Sequence, residues 1–169
     1  MQSSCERKCV RNGRIARGCQ RRYQQTPRRK PVLGYNYTLV APNYAKTAGD
    51  LLLIRQHVVG SETNALLETK EPRKYAAEFE GPTKSTDTFE ITLPAGYEVD
   101  DLPPPVDVDY EFASYHSKTE AAGGVLKYSR TFEIKELSVP LDKTDQLKKF
   151  YRIIASDERN TAVLKPTGH

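Results

Sequence analysis

The chain has 169 residues, of which 37% are hydrophobic, with a net charge of +4 and a mean hydropathy of -0.67. That length suits one domain with its own core, and the low apolar fraction suits a sheet with one wet face. No apolar run approaches a membrane span, and the N-terminus has positive charge without the apolar stretch of a secretory signal, so the chain as written is expected to stay cytoplasmic.

The charge is unevenly placed. Residues 1–30 carry ten Lys or Arg against Glu6, a balance of +9, while the remainder has 16 bases and 21 acids, a balance of −5. The basic character therefore belongs to an arm and does not mark the body as a nucleic-acid-binding domain. Tyr23 is the arm's one aromatic residue. Base stacking has little support there, and specific nucleic-acid binding is not expected. Non-specific attraction of an anionic polymer to the arginines stands as an alternative. Cys5, Cys9 and Cys19 all lie in the arm, and the body has no cysteine, which excludes a disulfide framework for the body. A zinc site would want a fourth ligand, and the arm has no histidine, so neither a metal nor another cofactor is expected. Val10, Ile15 and Ala16 are isolated among polar residues. Residues 1–31 therefore read as a disordered arm and residues 32–169 as the folded domain.

Within the domain, Tyr35, Tyr37, Leu39 and Ala41 alternate with polar residues as a half-buried strand would. Leu51–Val59 is apolar enough for a strand covered on both faces and closes at Gly60. Lys74–Glu80 predicts a short strand ended by Gly81–Pro82. Phe89, Ile91 and Leu93 share one strand face, and Pro94-Ala95-Gly96 turns the chain into a further extended piece with Tyr97 and Val99. Pro103, Pro104 and Pro105 force an extended crossing that cannot lie in a central strand. Val106, Val108, Tyr110 and Phe112 alternate, and Tyr115 then has the wrong parity, which predicts a bulge near Ala113–Ser114. Gly123–Gly124 marks a hairpin, followed by Leu126, Tyr128, Phe132 and Ile134 on one face with Arg130 among them. Leu147, Phe150, Tyr151 and Ile154 have helical spacing, with Asp142 as the expected cap and Asp145 in the first turn. Thr161–Leu164 returns as a last strand.

The chemistry these residues suggest is sparse. Ser114 and His116 would share a strand face, but the body offers no cysteine, no G-x-S-x-G elbow and no orienting third group, so no catalytic residue is assigned. Asp100, Asp101, Asp107 and Asp109 lack the glycine-centred loop and closing glutamate of a calcium loop and read as a solvated face. Arg130 on an apolar face reads as a paired or snorkelling arginine, with Asp109 or Glu111 as candidate partners. Tyr110, Phe112, Tyr115, His116 and Arg130 are the candidate binding residues. An exposed aromatic platform including Tyr110, Phe112 and Tyr115 would mark a protein- or glycan-binding surface.

From about Thr88 to Pro166, the run TFEITLPAGYEVDDLPPPVDVDYEFASYHS, the hairpin and strand AAGGVLKYSRTFEIKE, and the helix and strand LKKFYRIIASDERNTAVLKP resemble the C-terminal β domain of a bacterial family of transglutaminase-like proteins. The stretch YNYTLVAPNYAKTAGDLLLIRQHVVG is similar to the segment that joins core to C-terminal domain there, so the resemblance spans roughly Pro31 to Pro166. It implies an accessory domain whose catalytic Cys, His and Asp belong to a papain-like core that is missing here. Cys19, in RGCQRR, does not match the surroundings of that nucleophile. It also implies export to the periplasm or cell surface, in contrast to the absence of a signal.

The expected architecture is mainly β: an antiparallel β-sandwich of seven to nine strands with one C-terminal helix near 142–156 and a disordered N-terminal arm. The expected function is that of a non-catalytic accessory or interaction domain, a fragment of a longer protein, whose partner is a transglutaminase-like core or a cell-surface protein. The alternatives are the protein- or glycan-binding sandwich and the anionic-polymer-binding arm.

Overall fold

The computed structural model describes residues 16–24, 33–60, 62 and 73–168. Its large sheet runs from edge to edge as β2 (Leu33–Val40), β1 (Ala16–Gln24), β6 (Thr83–Thr92), β10 (Val125–Ile134), β9 (Ala113–Ala122) and β8 (Val106–Asp109), antiparallel throughout. A smaller antiparallel sheet runs β3 (Lys46–Ala48), β4 (Leu51–Arg55), β12 (Thr161–Pro166) and β7 (Tyr97–Asp101). A two-residue ribbon pairs β5 (Ala77–Glu78) with β11 (Ser138–Val139).

The period-2 pattern decides which face is inside. In β10 the buried residues are Leu126, Tyr128, Arg130, Phe132 and Ile134, and in β6 they are Ser85, Asp87, Phe89 and Ile91. Gly123 and Gly124 join β9 to β10 with φ of 58° and 76°, the left-handed pair that a two-residue hairpin needs. The three prolines connect β7 in the small sheet to β8 in the large one, so the extended crossing read from the sequence is the passage between the two layers.

The small sheet covers one end of the large sheet's inner face: Ile54, Ala162 and Leu164 pack with Ile91 and Leu126. Helix α1 (Thr144–Asp157) covers the other end, where Leu147, Phe150 and Ile154 meet Phe112, Tyr115, Phe132 and Ile134. The antiparallel sandwich with one C-terminal helix is therefore the fold. Twelve strands are found among the described residues, more than expected, because β3, β5 and β11 are only two or three residues long and β1 comes from the region assigned to the arm.

Residues 16–24 lie as a strand between β2 and β6, and residues 1–15 and 25–32 lie outside the described residues. The open edge of β6 supplies backbone partners that need no apolar period. The phase slip before Tyr115 is not a bulge but a turn: Tyr110 N–H donates to the Ala113 carbonyl at 2.8 Å, and β8 folds back antiparallel on β9. Asp142 does not cap α1. It lies in a 3-10 turn, Leu141–Lys143, that runs straight into the helix, and Lys143 holds the N-cap position without a side-chain capping bond.

Candidate functional site

Between the two apolar ends of the sandwich lies a belt of buried polar side chains. It begins with alternation. Arg130 sits on the inner face of β10 directly opposite Asp87 of β6. Arg130 Nε and Nη2 both lie 2.8 Å from Asp87 Oδ2. Nη1 donates to Glu158 Oε1 at 2.5 Å, and Nη2 lies 3.4 Å from Glu62 Oε1. Glu62 also donates its backbone N–H to Glu158 Oε1 at 3.0 Å. One guanidinium thus gathers β10, β6, the end of α1 and Glu62 from the chain beyond β4. Burial works against its charge, but Asp87 and then Glu62 outweigh it and hold its pKa above the ordinary value.

Beside it, Asp157 Oδ2 accepts from the Tyr115 hydroxyl at 2.6 Å and the Tyr128 hydroxyl at 2.7 Å. The two phenol oxygens are 3.0 Å apart. With one hydrogen each, both phenols donate to the carboxylate, and the third side of the triangle is a contact. Burial raises both phenol pKa values. The negative Asp157 raises them further, while at Tyr128 the neighbouring Tyr115 hydroxyl pulls the other way.

The chain after β4 closes the belt. Gln56 accepts from the Thr119 hydroxyl at 2.8 Å. His57 packs edge-on against Phe89, with ring centres 5.4 Å apart, and against Tyr128 at 6.2 Å.

The candidate binding residues do not form the surface that was expected of them. Phe112 is 2% exposed, Tyr115 0% and Arg130 1%. Tyr110 is half-buried and stacks on Phe112 at 5.3 Å, edge-on to Phe150 at 6.1 Å. These aromatics are the floor under the helix, so the exposed platform on which the binding reading depended is not formed. His116 is exposed on the outer face of β9, with Nδ1 2.9 Å from Asp107 Oδ1. It belongs to a different face from Arg130.

The proposed partners of Arg130 also change. Asp109 pairs with Lys135, and Glu111 with Lys143. The hydrogen bonds from these lysines hold both carboxyl groups below their usual range. Asp87, Glu158, Glu62, Asp157, Tyr128, Gln56 and His57 were all missed as belt residues. The available signal was Asp87, an acid on the apolar Phe89–Ile91 face of a strand.

Among the described residues, no group of three or more His, Cys, Asp or Glu side chains is placed to hold a metal ion, and no helix is long and apolar enough to cross a membrane. Neither a curated protein nor a solved structure gives a significant match. A family model does match residues 50–164, more than half of the chain, from before β4 to within β12. Its description is "Domain of Unknown Function with solved-structure structure", DUF3858. The matched span includes the whole polar belt, and the chain belongs to the DUF3858 family.

Proposed function

We propose that this chain is a non-catalytic accessory or interaction domain, of the kind that the sequence resemblance associates with transglutaminase-like proteins. The observation that carries this reading is the state of the chemistry-bearing side chains. Tyr115, Tyr128, Asp157, Arg130, Asp87 and Glu158 are tied to one another inside the sandwich. A general acid, base or nucleophile must reach a substrate atom, whereas these groups join β6, β9, β10 and α1. Their geometry supports a scaffold whose outer surface meets another protein or another part of the same protein. A transglutaminase-like core is the partner that the resemblance favours.

The test is glutamine–lysine cross-linking and casein turnover by the purified protein. The expected result is no turnover above buffer. Activity that disappears in Cys19→Ser would overturn the reading.

A further inference from the structure

Among the described residues, the four edges of the two larger sheets are not alike. The small sheet ends on β3, a three-residue strand containing Lys46, and on β7, which carries Glu98, Asp100 and Asp101. The large sheet ends on β8, four residues long, with Asp107 and Asp109 and three prolines just before it. Short length, charge and proline are the usual means by which an edge is kept from pairing. The remaining edge, β2, has none of them. It is eight residues long, LGYNYTLV, with no charge and no proline, and among the described residues it pairs with β1 alone.

We propose that β2 is a homotypic docking edge, at which two copies of this chain join antiparallel and continue the large sheet across a two-fold axis. The composition favours a second copy as occupant. A two-fold contact sets the same patch against itself, so any charge on the strand would face its own like, and β2 presents none. The alternation favours it too. Tyr35, Tyr37 and Leu39 are half-buried on one face, while Gly34, Asn36 and Thr38 are exposed on the other. A two-fold axis normal to the sheet keeps each face on its own side, so residues of equal parity lie opposite one another. Centred on Tyr37, the pairing sets Tyr35 against Leu39. Centred on Asn36, it sets Tyr35 against Tyr37. Both registers extend the apolar stripe, and Tyr37 already joins that stripe to Phe89 and Tyr128. A strand from a different protein would use the same backbone groups, and the experiment separates the two.

The full chain is weighed in solution by sedimentation equilibrium over a range of concentrations. The expected mass is twice 19.1 kDa, falling towards 19.1 kDa on dilution. Asn36→Lys with Thr38→Lys, on the exposed face and away from the core, is expected to give monomer with an unchanged circular dichroism spectrum. Asn36→Glu with Thr38→Glu is expected to do the same. Mixing the two variants should restore the dimer, which an unfolded variant could not do. Asp101→Lys, on β7, should leave the mass unchanged. A wild-type monomer at every concentration overturns the proposal and leaves β2 to a foreign strand. A dimer that survives both double variants overturns it as well, as does a failure of the mixture to reassociate.

Discussion

The two halves of the surface covered by α1 hold the helix in different ways. Towards its N-terminal side, Leu147, Phe150 and Ile154 lie in an apolar cluster with Phe112, Phe132 and Ile134. At its C-terminal end, Asp157 and Glu158 are bound to Tyr115, Tyr128 and Arg130. The apolar half depends on volume and is tolerant of direction, so its losses are graded. The polar half depends on geometry. A buried charge that keeps its partners is near neutral in energy, but one that loses them is strongly destabilising. The apolar half supplies attraction, and the polar half supplies the register in which helix, sheet and turn meet.

The largest expected effects have similar size and different character. Arg130→Ala would strand Asp87 and Glu158 in the interior and should lower stability by about 3–5 kcal/mol. Phe150→Ala should lower it by about 3–5 kcal/mol through the cavity left among its rings. Conservative replacements then separate the halves. Phe150→Leu should recover most of its loss. Arg130→Lys should recover little, because an ammonium cannot reproduce the fork that serves Asp87, Glu158 and Glu62 together. Urea midpoints measure all four, and an Arg130→Lys protein as stable as wild type would dissolve the distinction.

Tyr128→Phe is expected to lie below these. It removes one of two hydroxyl donors to the buried Asp157 and should lower stability by about 1.5–3 kcal/mol. The same phenols make a pH prediction. Their folded pKa values are raised, so the folded state keeps protons that the unfolded chain releases. Their contribution is fully present below the ordinary tyrosine value of 10.0 and is lost as the pH rises above it. Alkaline absorbance titration should show Tyr115 and Tyr128 ionising only as the protein unfolds. Their ionisation in a protein with native circular dichroism would contradict the belt.

The smallest effects belong on the surface. Lys149, exposed on α1 beside Phe150, should tolerate alanine within about 0.5 kcal/mol. Asp109 and Glu111, held low by Lys135 and Lys143, contribute above their unfolded pKa values near 3.8 and 4.5 and lose that contribution as the pH falls. Acid unfolding of a Lys135→Ala, Lys143→Ala protein should begin at slightly higher pH than wild type. The difference should vanish in high salt, where exposed pairs are screened.

Much of this architecture was legible in the sequence because it depends on local patterns. Phe89–Ile91 alternation, Gly123–Gly124, the three prolines and the Leu147–Ile154 stripe each fix a strand, turn, crossing or helix face within a few residues. The belt was less legible because its bonds are long-range: Arg130 meets Asp87 across 43 positions and Glu62 across 68. Alternation placed Arg130 on the inner face but could not name the neighbouring strand. The nearby acids Asp109 and Glu111 were therefore plausible and wrong. The turn at Tyr110–Phe112 was hidden for a related reason. Its aromatics continue the apolar alternation of β8, and no glycine or proline interrupts them.

The place of β12 in the small sheet governs when the domain can fold during synthesis. This strand lies between β4 and β7, and Leu164 pairs with Leu52 on one side and Val99 on the other. Without it those two strands have no backbone partner in common, and Ile54 has no Leu164 to pack against. A nascent chain can form the β9–β10 hairpin early, but the second layer must wait until β12 has been made. Closure of the two layers is thus a late, long-range event in the folding of this domain.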